Sequence, residues 1–482
     1  MNRVVIVIHT NTYFTGMLPL AMMLKRNPDF EPVFLFTRYY PTLPEDIRRC
    51  TKEAISVTFN DDVILTDLPE NKNGKTRTTL IKMPVLVIKI INRLKNYSET
   101  ILNRLNKLFF FSVINEISQL SRQIKNFKGY LSIEKISMVI LPADNRYDQA
   151  AYIKAAHQKH IKAILVPQFM AGPLEWVEYV WSQEPYQVKT PFAKLVADLF
   201  PRWKLNYKNH DLTALPISQL VAREWLQIAP PLPWVLHSGN ADAVALESEA
   251  VRDYCLAEGL TGDKFQVTGS IAHDEMAVLL ADFSKNRKVL CEELGFSEEK
   301  PIILTALPPD NLYMNRPDCD FKTYADLVEF WCQSISVITG FHHVVVLHPS
   351  LRYEEISYIE NFGLRISKRN TASVIPLCDL YVSSISSTIQ WAIACQKPVL
   401  NYDVFRYHYT DYQKVGGVIS VEEKQDFIDA LHKISTDRGY YGEITERQIQ
   451  EASYWGKLDG KAGDRLCSMF SLMLNKSNKV SL

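Results

Sequence analysis

The residues best suited to bind a ligand follow a short, wholly apolar segment in the second half of the chain. Val344-Val345-Val346-Leu347 has the composition of a buried parallel strand, and His348-Pro349 comes directly after it. Proline cannot extend a ladder of strand hydrogen bonds, so the strand must stop there. We therefore expect His348 at the carboxyl end of a sheet, where its imidazole can donate a hydrogen bond to a phosphate oxygen. The alternative is a histidine that only closes the strand end against a backbone carbonyl.

A second polar segment, Ser383-Ser384-Ile385-Ser386-Ser387-Thr388, lies between a predicted strand and a predicted helix. Hydroxyl groups at such a place can cap the helix, whose first amides are unpaired and carry the positive end of the helix dipole. The segment therefore suits a nucleotide phosphate, and the alternative is a simple polar turn with a cap. The predicted nucleotide-binding residues are His348, Pro349, Ser383, Ser386, Ser387 and Thr388.

Two side chains that follow strands in the first half could carry out the chemistry. The carboxylate of Asp144 could act as a general base that deprotonates a hydroxyl group, as an inverting group transfer requires, or as a nucleophile, as a retaining transfer requires. The alternative for Asp144 is an N-cap of a helix that starts near Tyr147. His9, which follows the first strand, is the second catalytic candidate. Asp148 is expected to pair with Arg146 or to be solvated.

The segment Pro167–Trp176 also follows a predicted strand, and it contains glycine, proline and aromatic residues. Aromatic faces at the carboxyl end of a strand suit a platform on which a sugar ring can stack. We therefore predict that Gln168 and Trp176 contact the acceptor. The alternative is a loop whose Trp176 fills the core.

Strands and helices alternate through both halves of the chain. Short apolar runs such as Val4–Ile8 alternate with segments of helical spacing such as Tyr324–Ile338. This order predicts an α/β fold of two doubly wound, Rossmann-like domains, residues 1–280 and 281–482, facing a central cleft. The first domain would carry a helical insertion at about residues 80–128, and the last helix of the second could cross back to the first.

The order of these segments resembles the second domain of GT-B-fold glycosyltransferases, with His348-Pro349, the Ser386-Ser387-Thr388 turn and then Lys397-Pro398-Val399-Leu400. The His-Pro and Ser-Ser/Thr motifs are most similar to those of bacterial transferases that use CMP-linked sugars, the sialyl and Kdo types. In those families the two motifs hold the cytidine nucleotide, which implies the same role here. The segment 242–274 is similar to the one that precedes the interdomain crossing in GT-B transferases and UDP-sugar 2-epimerases, and it adds Ser270 to the nucleotide-binding residues.

Three departures from related families bear on the donor. UDP-sugar transferases of this fold often place a glutamate on the helix after the phosphate loop, where this chain has Gln390 and Trp391. That difference favours a cytidine donor. The 2-epimerases have a Gly-Gly turn where Ser386-Ser387 stands, and CDP-glycerol-type polymer transferases usually carry an acidic Asp-Tyr-Ser-Ser stretch in this region.

Composition excludes several other classes of protein. Lys plus Arg and Asp plus Glu number 54 each among 482 residues, so the formal net charge is zero and a broad nucleic-acid interface is not expected. The eight cysteines are scattered without zinc spacing, which indicates thiols in a reducing compartment. No metal is expected, because the only Asp-x-Asp pair, Asp318-Cys319-Asp320, lies in a loop that contains proline.

No secretion signal and no transmembrane segment are expected, so the predicted location is the cytoplasm. The basic and apolar segment Met83–Ile114 predicts a pair of amphipathic helices. Such a pair either packs on its own domain or lies on the anionic inner face of the cell membrane.

Together these observations predict a glycosyltransferase that moves a sugar from a nucleotide donor, preferably CMP-linked, to a glycan or lipid-linked glycan. Its product would be a cell-surface polysaccharide such as a capsule or lipopolysaccharide, and no cofactor beyond the donor is expected. Three alternatives remain: a CDP-polyol phosphotransferase, a UDP-sugar 2-epimerase and a non-catalytic sugar-binding subunit.

Overall fold

A computed structural model of the chain describes residues 1–60, 109–145, 148–168, 170, 172–312, 316 and 318–480. The predicted helix pair of Met83–Ile114 lies almost entirely outside the described residues. The same holds for much of the helical insertion predicted at about 80–128, of which the part from Phe109 onward forms a helix.

The described residues form two large sheets and one small one. The strands are β1 Asn2–Ile8, β2 Phe30–Phe36, β3 Ser56–Phe59, β4 Ile136–Leu141, β5 Lys162–Leu165, β6 Lys204–Tyr207, β7 His210–Thr213, β8 Ala243–Leu246, β9 Phe265–Val267, β10 Ile302–Ala306, β11 His342–Val346, β12 Arg365–Ile366, β13 Leu380–Ser383, β14 Val399–Tyr402 and β15 Val418–Val421. The first sheet has the order β3-β2-β1-β4-β5-β8-β9 and the second has the order β12-β11-β10-β13-β14-β15. β6 and β7 form a separate antiparallel hairpin.

Helices connect most of these strands. They are α1 Asn11–Arg26, α2 Leu43–Lys52, α3 Phe109–Ile133, α4 Gln149–His157, α5 Pro173–Val180, α6 Pro191–Leu199, α7 Ile217–Trp225, α8 Glu249–Ala257, α9 Ile271–Ala281, α10 Phe283–Leu294, α11 Tyr324–Ser336, α12 Tyr353–Ile356, α13 Thr371–Val374, α14 Ile389–Ala394, α15 Lys424–Thr436, α16 Arg438–Trp455 and α17 Ala462–Val480. Within the described ranges, none of these helices is both long and apolar enough to cross a membrane. The eight cysteines are free thiols.

Internal contacts divide the chain into two compact units. The first unit comprises Met1–Val166, Val180–Val244 and the end of α17 from Met473, and the second comprises Pro167–Tyr179 and Ala245–Leu472. The division into domains 1–280 and 281–482 stays a prediction. By contacts, residues 245–280 belong to the second unit.

The sequence explains why the central strands are buried. Val4 to Ile8 of β1 are fully buried, and the short apolar runs of β10 and β13 are buried in the same way. Strands that are covered on both faces carry such continuous apolar runs rather than alternating patterns. The pairings of β1 with β2 and β4, and of β10 with β11 and β13, are parallel. The predicted α/β fold with two doubly wound, Rossmann-like sheets is therefore confirmed.

Each sheet has a point at which the direction of its connections reverses. In the first sheet β1 is followed outward by β2 and β3, whereas β4 lies on the other side of β1. In the second sheet β10 leads outward to β11 and β12, and the chain then returns to place β13 on the other side of β10. Ligands of open α/β sheets bind at the carboxyl ends of strands at such switch points. Ligand sites are therefore expected at the carboxyl ends of β1 and β4 and around the carboxyl end of β10.

Candidate nucleotide and catalytic sites

His348 lies just beyond β11, and its ring is held by Ser350. The backbone N–H of Ser350 donates to His348 Nδ1 at 3.2 Å, and Ser350 Oγ lies 2.7 Å from the same nitrogen. A backbone N–H can only donate, so Nδ1 acts as the acceptor and the neutral ring carries its proton on Nε2. Burial lowers the pKa of His348 to about 4, so this neutral form is present at neutral pH. His348 is thus a fixed, uncharged hydrogen-bond donor, and exposed Pro349 follows it.

In the serine loop, Ser383–Thr388, the hydroxyl groups of Ser386 and Thr388 bond to each other, and Ser386 Oγ also accepts from the backbone N–H of Thr388 at 3.3 Å. Thr388 is the N-cap residue of α14, but its side chain makes no capping bond. Its Oγ1 lies 2.5 Å from Tyr381 Oη and 2.7 Å from Ser386 Oγ instead. Thr388 thus occupies the N-cap position without making a side-chain cap. Because α14 has only six residues, the predicted binding of an anion by this loop would depend on its hydroxyl groups rather than on the helix dipole.

The backbone of the serine loop is strained at Ile385, whose φ is +47°. A left-handed conformation is a genuine outlier for a β-branched residue, and such residues cluster at binding sites and active sites. The N–H of Ile385 donates to Asn401 Oδ1 at 2.8 Å. The loop is thus held in a conformation that its own sequence disfavours.

His348 and the serine loop emerge at the same edge of the second sheet, on opposite sides of β10. Ala306, the last residue of β10, pairs with Val346 of β11 and with Ser383 of β13. Two strand spacings separate β11 from β13, so the two backbone segments leave the sheet roughly 10 Å apart. The structure therefore brings these predicted nucleotide-binding residues together at the switch point.

Ser270 is a structural cap in the described fold. Its side chain accepts a hydrogen bond from Ala272 N–H at 3.3 Å and caps α9. Gly269 precedes it with a φ of +83°, and a Cβ atom there would lie 3.0 Å from Ala462 Cβ. The Gly-Ser pair thus has a sufficient local explanation, and the predicted nucleotide contact of Ser270 stays a prediction.

A glutamate that sequence reasoning did not place at this site reaches α14 from the end of β8. Trp391 Nε1 donates to Glu247 Oε1 at 2.6 Å, and Nε2 of buried His273 lies 3.0 Å from the same oxygen. The helix after the serine loop has no glutamate of its own, but it has a carboxylate packed against it. The signal available in the sequence was the position of Glu247 directly after a short buried strand.

The predicted acceptor residues lie in a segment rich in aromatic and acidic groups. Trp176 of α5 is half-buried and stacks on Tyr179 with ring centroids 5.2 Å apart, and Gln168 is also half-buried. Between them, Gly172 approaches Tyr254 so closely that a Cβ atom would lie 2.0 Å from the tyrosine hydroxyl. Burial raises the pKa of nearby Asp411 to about 6, although a hydrogen bond from Tyr254 opposes this rise. The acceptor assignment is not decided by these contacts and remains a prediction.

In the first unit, His9 at the end of β1 pairs with Asp148 at the N-terminus of α4. His9 Nε2 lies 2.6 Å from Asp148 Oδ1, and Gln123 donates to the other carboxylate oxygen. Burial alone would raise the pKa of Asp148, but the charge and hydrogen bond of His9 outweigh it and hold this pKa well below its usual range. Asp148 is therefore ionised at neutral pH and paired with His9. Its predicted partner Arg146 lies outside the described residues.

Asp144 is buried after β4 and lies against the backbone of Gly239. A Cβ atom at Gly239 would come within 2.6 Å of Asp144 Cγ, so only glycine fits there. The helix that Asp144 was expected to cap begins at Gln149 and has Asp148 as its N-cap residue. Neighbouring Asn145 accepts from buried Arg223 through its backbone oxygen at 3.3 Å. The structure thus supports a packed polar turn, and the catalytic role of Asp144 stays a prediction.

No group of three or more His, Cys, Asp or Glu side chains is placed to hold a metal ion in the part of the chain that the structure describes. Asp320 of the Asp318-Cys319-Asp320 segment accepts instead from Arg406, at 3.0 Å. The expectation that no divalent metal takes part remains a prediction.

Comparison with known proteins identifies the fold but not a family. No protein-family model matches the chain, and no curated protein matches its sequence. Among solved structures, S. aureus MnaA in complex with UDP is similar with a TM-score of 0.51 and 13% identity over 98% of this chain and 97% of that one. A putative UDP-N-acetylglucosamine 2-epimerase from Listeria monocytogenes has a TM-score of 0.50, with 14% identity over 98% and 97%.

The calicheamicin glycosyltransferase CalG4 has a TM-score of 0.52, with 10% identity over 98% of both chains. At these identities the likeness shows the fold alone. The chain has the GT-B-like fold of two Rossmann-like domains, which 2-epimerases and glycosyltransferases share.

Proposed function

We propose that this chain is an enzyme that acts on a nucleotide-linked sugar and binds the nucleotide in its second unit. The observation that carries the proposal is the arrangement around β10, where the uncharged donor His348 and the strained serine loop flank a switch point. Hydroxyl and imidazole N–H donors suit phosphate oxygens, to which hydrogen bonds are stronger than to neutral acceptors. The backbone separation of roughly 10 Å favours a ligand that extends across β10, as a nucleoside diphosphate does.

The comparisons support a uridine nucleotide better than the cytidine nucleotide expected from the sequence motifs. MnaA was solved with UDP, and the Listeria monocytogenes protein is described as a UDP-N-acetylglucosamine 2-epimerase. We therefore place UDP-linked sugars first and CMP-linked sugars second.

Two reactions are candidates, and a separate observation favours each. The likeness to the Listeria monocytogenes protein, a putative UDP-N-acetylglucosamine 2-epimerase, favours epimerisation at C2 of the sugar. The likeness to CalG4, together with Ser386-Ser387 where 2-epimerases have Gly-Gly, favours transfer to an acceptor. For the transfer reaction, Gln168 and Trp176 are the proposed acceptor contacts. A cell-surface glycan as acceptor and contact with a membrane are part of the transfer proposal only.

Both reactions need a group that moves a proton, and we propose the pair of His9 and Asp148. His9 Nε2 lies 2.6 Å from Asp148 Oδ1, so ionised Asp148 can accept a hydrogen bond from Nε2–H and orient the ring. A histidine oriented in this way is a suitable general base, because its second nitrogen is fixed in direction and tautomer. In transfer it would take the proton of the acceptor hydroxyl as that oxygen replaces the nucleotide phosphate at C1 of the sugar. In epimerisation it would take the proton of C2 as the C1–O bond to the phosphate breaks, and a proton and the nucleotide would then add back to give the opposite configuration at C2.

The nucleotide site is tested by isothermal titration of the full chain with UDP, CMP, CDP and GDP. We expect UDP to bind most tightly and His348→Ala to weaken it. Equal, very weak binding of all four nucleotides would contradict the proposal, and tightest binding of CMP would restore the cytidine assignment.

The reaction is tested by incubating the protein with UDP-N-acetylglucosamine in deuterated water and following the sugar by NMR. Appearance of the C2 epimer with deuterium at C2, without an acceptor, identifies an epimerase. Release of UDP only when a glycan acceptor is added identifies a transferase. If neither product forms although UDP binds, the chain is a binding subunit and the enzyme proposal is wrong.

A further inference from the structure

A row of three polar residues crosses the carboxyl end of the second sheet. Ser383 of β13 pairs in register with Asn401 of β14, and Asn401 pairs in register with Ser420 of β15. Residues in register on parallel strands point to the same face of a sheet. Asn401 is the middle member and is only 6% exposed. A buried amide in the middle of such a row must satisfy its hydrogen bonds locally.

Asn401 uses its two amide ends for different partners. Its Nδ2 donates to Ser420 Oγ at 3.2 Å, which fixes the orientation of the amide. Its Oδ1 accepts from the N–H of Ile385 at 2.8 Å, in the middle of the serine loop. Ile385 is the residue with the left-handed backbone, so the hydrogen bond to the Asn401 side chain is made at the one strained position of the loop.

We propose that Asn401 is a positioning residue for the nucleotide site. It holds Ile385 in the left-handed conformation, and this conformation sets the direction in which Ser386, Ser387 and Thr388 leave the strand. Without the amide, a β-branched residue relaxes to negative φ and turns the following hydroxyl groups away. The proposal rests on the proposed nucleotide-binding function, because it concerns how that site is shaped.

The test compares four variants of the full chain: Asn401→Ala, Ile385→Gly, the double variant and the control Gln448→Ala. Glycine adopts positive φ without a steric cost, so it should make the amide less necessary. Gln448 is a matched control because its fully buried amide donates to Lys397 O at 2.7 Å, at the opposite end of β14. UDP affinity is measured by titration, and the free energy of unfolding is measured with denaturant.

We expect Asn401→Ala to weaken UDP binding about tenfold, which is about 1.4 kcal/mol. Ile385→Gly alone should change the affinity by no more than about threefold, and adding Asn401→Ala to it should cost no more than about threefold again. Gln448→Ala should lower the free energy of unfolding and leave UDP affinity unchanged. The proposal is overturned if Asn401→Ala binds like wild type, if its loss is the same with and without the Ile385→Gly substitution, or if the control loses as much affinity.

The unfolding data separate this proposal from the nucleotide-binding proposal itself. If the wild-type protein binds no nucleotide, the proposed function fails, but the two substitutions must still be coupled in unfolding because one side chain holds the other. Additive effects of Asn401→Ala and Ile385→Gly on the free energy of unfolding would overturn the positioning role irrespective of any ligand.

Discussion

Replacement of His348 by alanine offers the most direct check on the nucleotide site. The ring of His348 is an uncharged donor in the described structure, because Ser350 N–H occupies Nδ1 and burial lowers the pKa to about 4. One hydrogen bond from a neutral donor to a charged phosphate contributes about 1.5–3 kcal/mol. Loss of that bond should weaken UDP binding by roughly ten- to a hundredfold. His348→Gln retains an uncharged donor and should lose less.

The pH dependence of binding distinguishes an uncharged from a charged histidine. UDP-N-acetylglucosamine is the better probe, because its diphosphate does not change charge near neutral pH. If His348 bound as a cation with an ordinary pKa near 6.5, affinity would rise steeply as the pH fell from 8 to 6. With a pKa of about 4 the ring stays neutral throughout this range, so we expect its contribution to affinity to be constant between pH 8 and pH 5.

Titration calorimetry of wild type, His348→Ala and His348→Gln at several pH values measures both quantities. His342→Ala is the matched control, because His342 begins the same strand and stacks on Phe296 at 4.2 Å, away from the carboxyl end. Wild-type affinity in His348→Ala would refute the phosphate contact. A tenfold gain in wild-type affinity from pH 8 to pH 6 that disappears in His348→Ala would refute the uncharged tautomer.

Other consequences of the structure concern catalysis and stability. Asp148→Asn should lower turnover by about a hundredfold or more while UDP affinity is unchanged, because His9 loses the carboxylate that orients it; equal turnover in a steady-state assay would exclude the pair. Arg316→Met should lower the free energy of unfolding by about 3–5 kcal/mol in a denaturant titration, because it leaves the buried carboxylate of Glu178, 2.7 Å from Arg316, without its charged partner. Replacing both residues by Met should restore most of the lost stability. Burial raises the pKa of Asp403 to about 6, so its ionisation opposes folding: the free energy of unfolding should fall from about pH 4 to pH 6, and the difference between wild type and Asp403→Asn should follow that slope.

The sequence alone predicted those features of the fold that depend on residues close together along the chain. β11 ends at Val346, shortly before Pro349, so His348 could be placed near the carboxyl edge from the chain order alone. The α/β alternation likewise predicted the parallel sheets, because short continuous apolar runs indicate buried strands and a period of about 3.6 residues indicates amphipathic helices. These are short-range properties, and the structure agrees with them.

The remaining features depend on contacts that are distant along the chain. Asp148 was expected to pair with Arg146, which lies outside the described residues, or to be solvated, and the sequence did not predict its contact with His9, which directly follows the neighbouring strand β1. The strained φ of Ile385 runs against the preference of a β-branched residue and persists because Asn401 accepts its N–H. Residue type alone predicts a negative φ at Ile385. The positive φ is explained only by the pairing of β13 with β14, which places Asn401 next to the loop.

The two candidate sites differ in a way that suits different chemical tasks. The carboxylate of Asp148 is ionised and lies against buried His9, so the pair can hold a proton at a fixed atom. His348 and the serine loop present uncharged hydrogen-bonding groups, which under the proposed function would bind an anion without neutralising it. In the proposed reactions the bond between the sugar and its nucleotide breaks, and negative charge grows on the departing phosphate oxygen. The orientation of His348 by Ser350 and of the serine loop by Asn401 would let their donors stabilise that charge without reorganising, and such preorganised donors stabilise a transition state more than flexible ones. In this proposal, the strain at Ile385 is the conformational free energy spent on orienting the serine loop before the ligand binds.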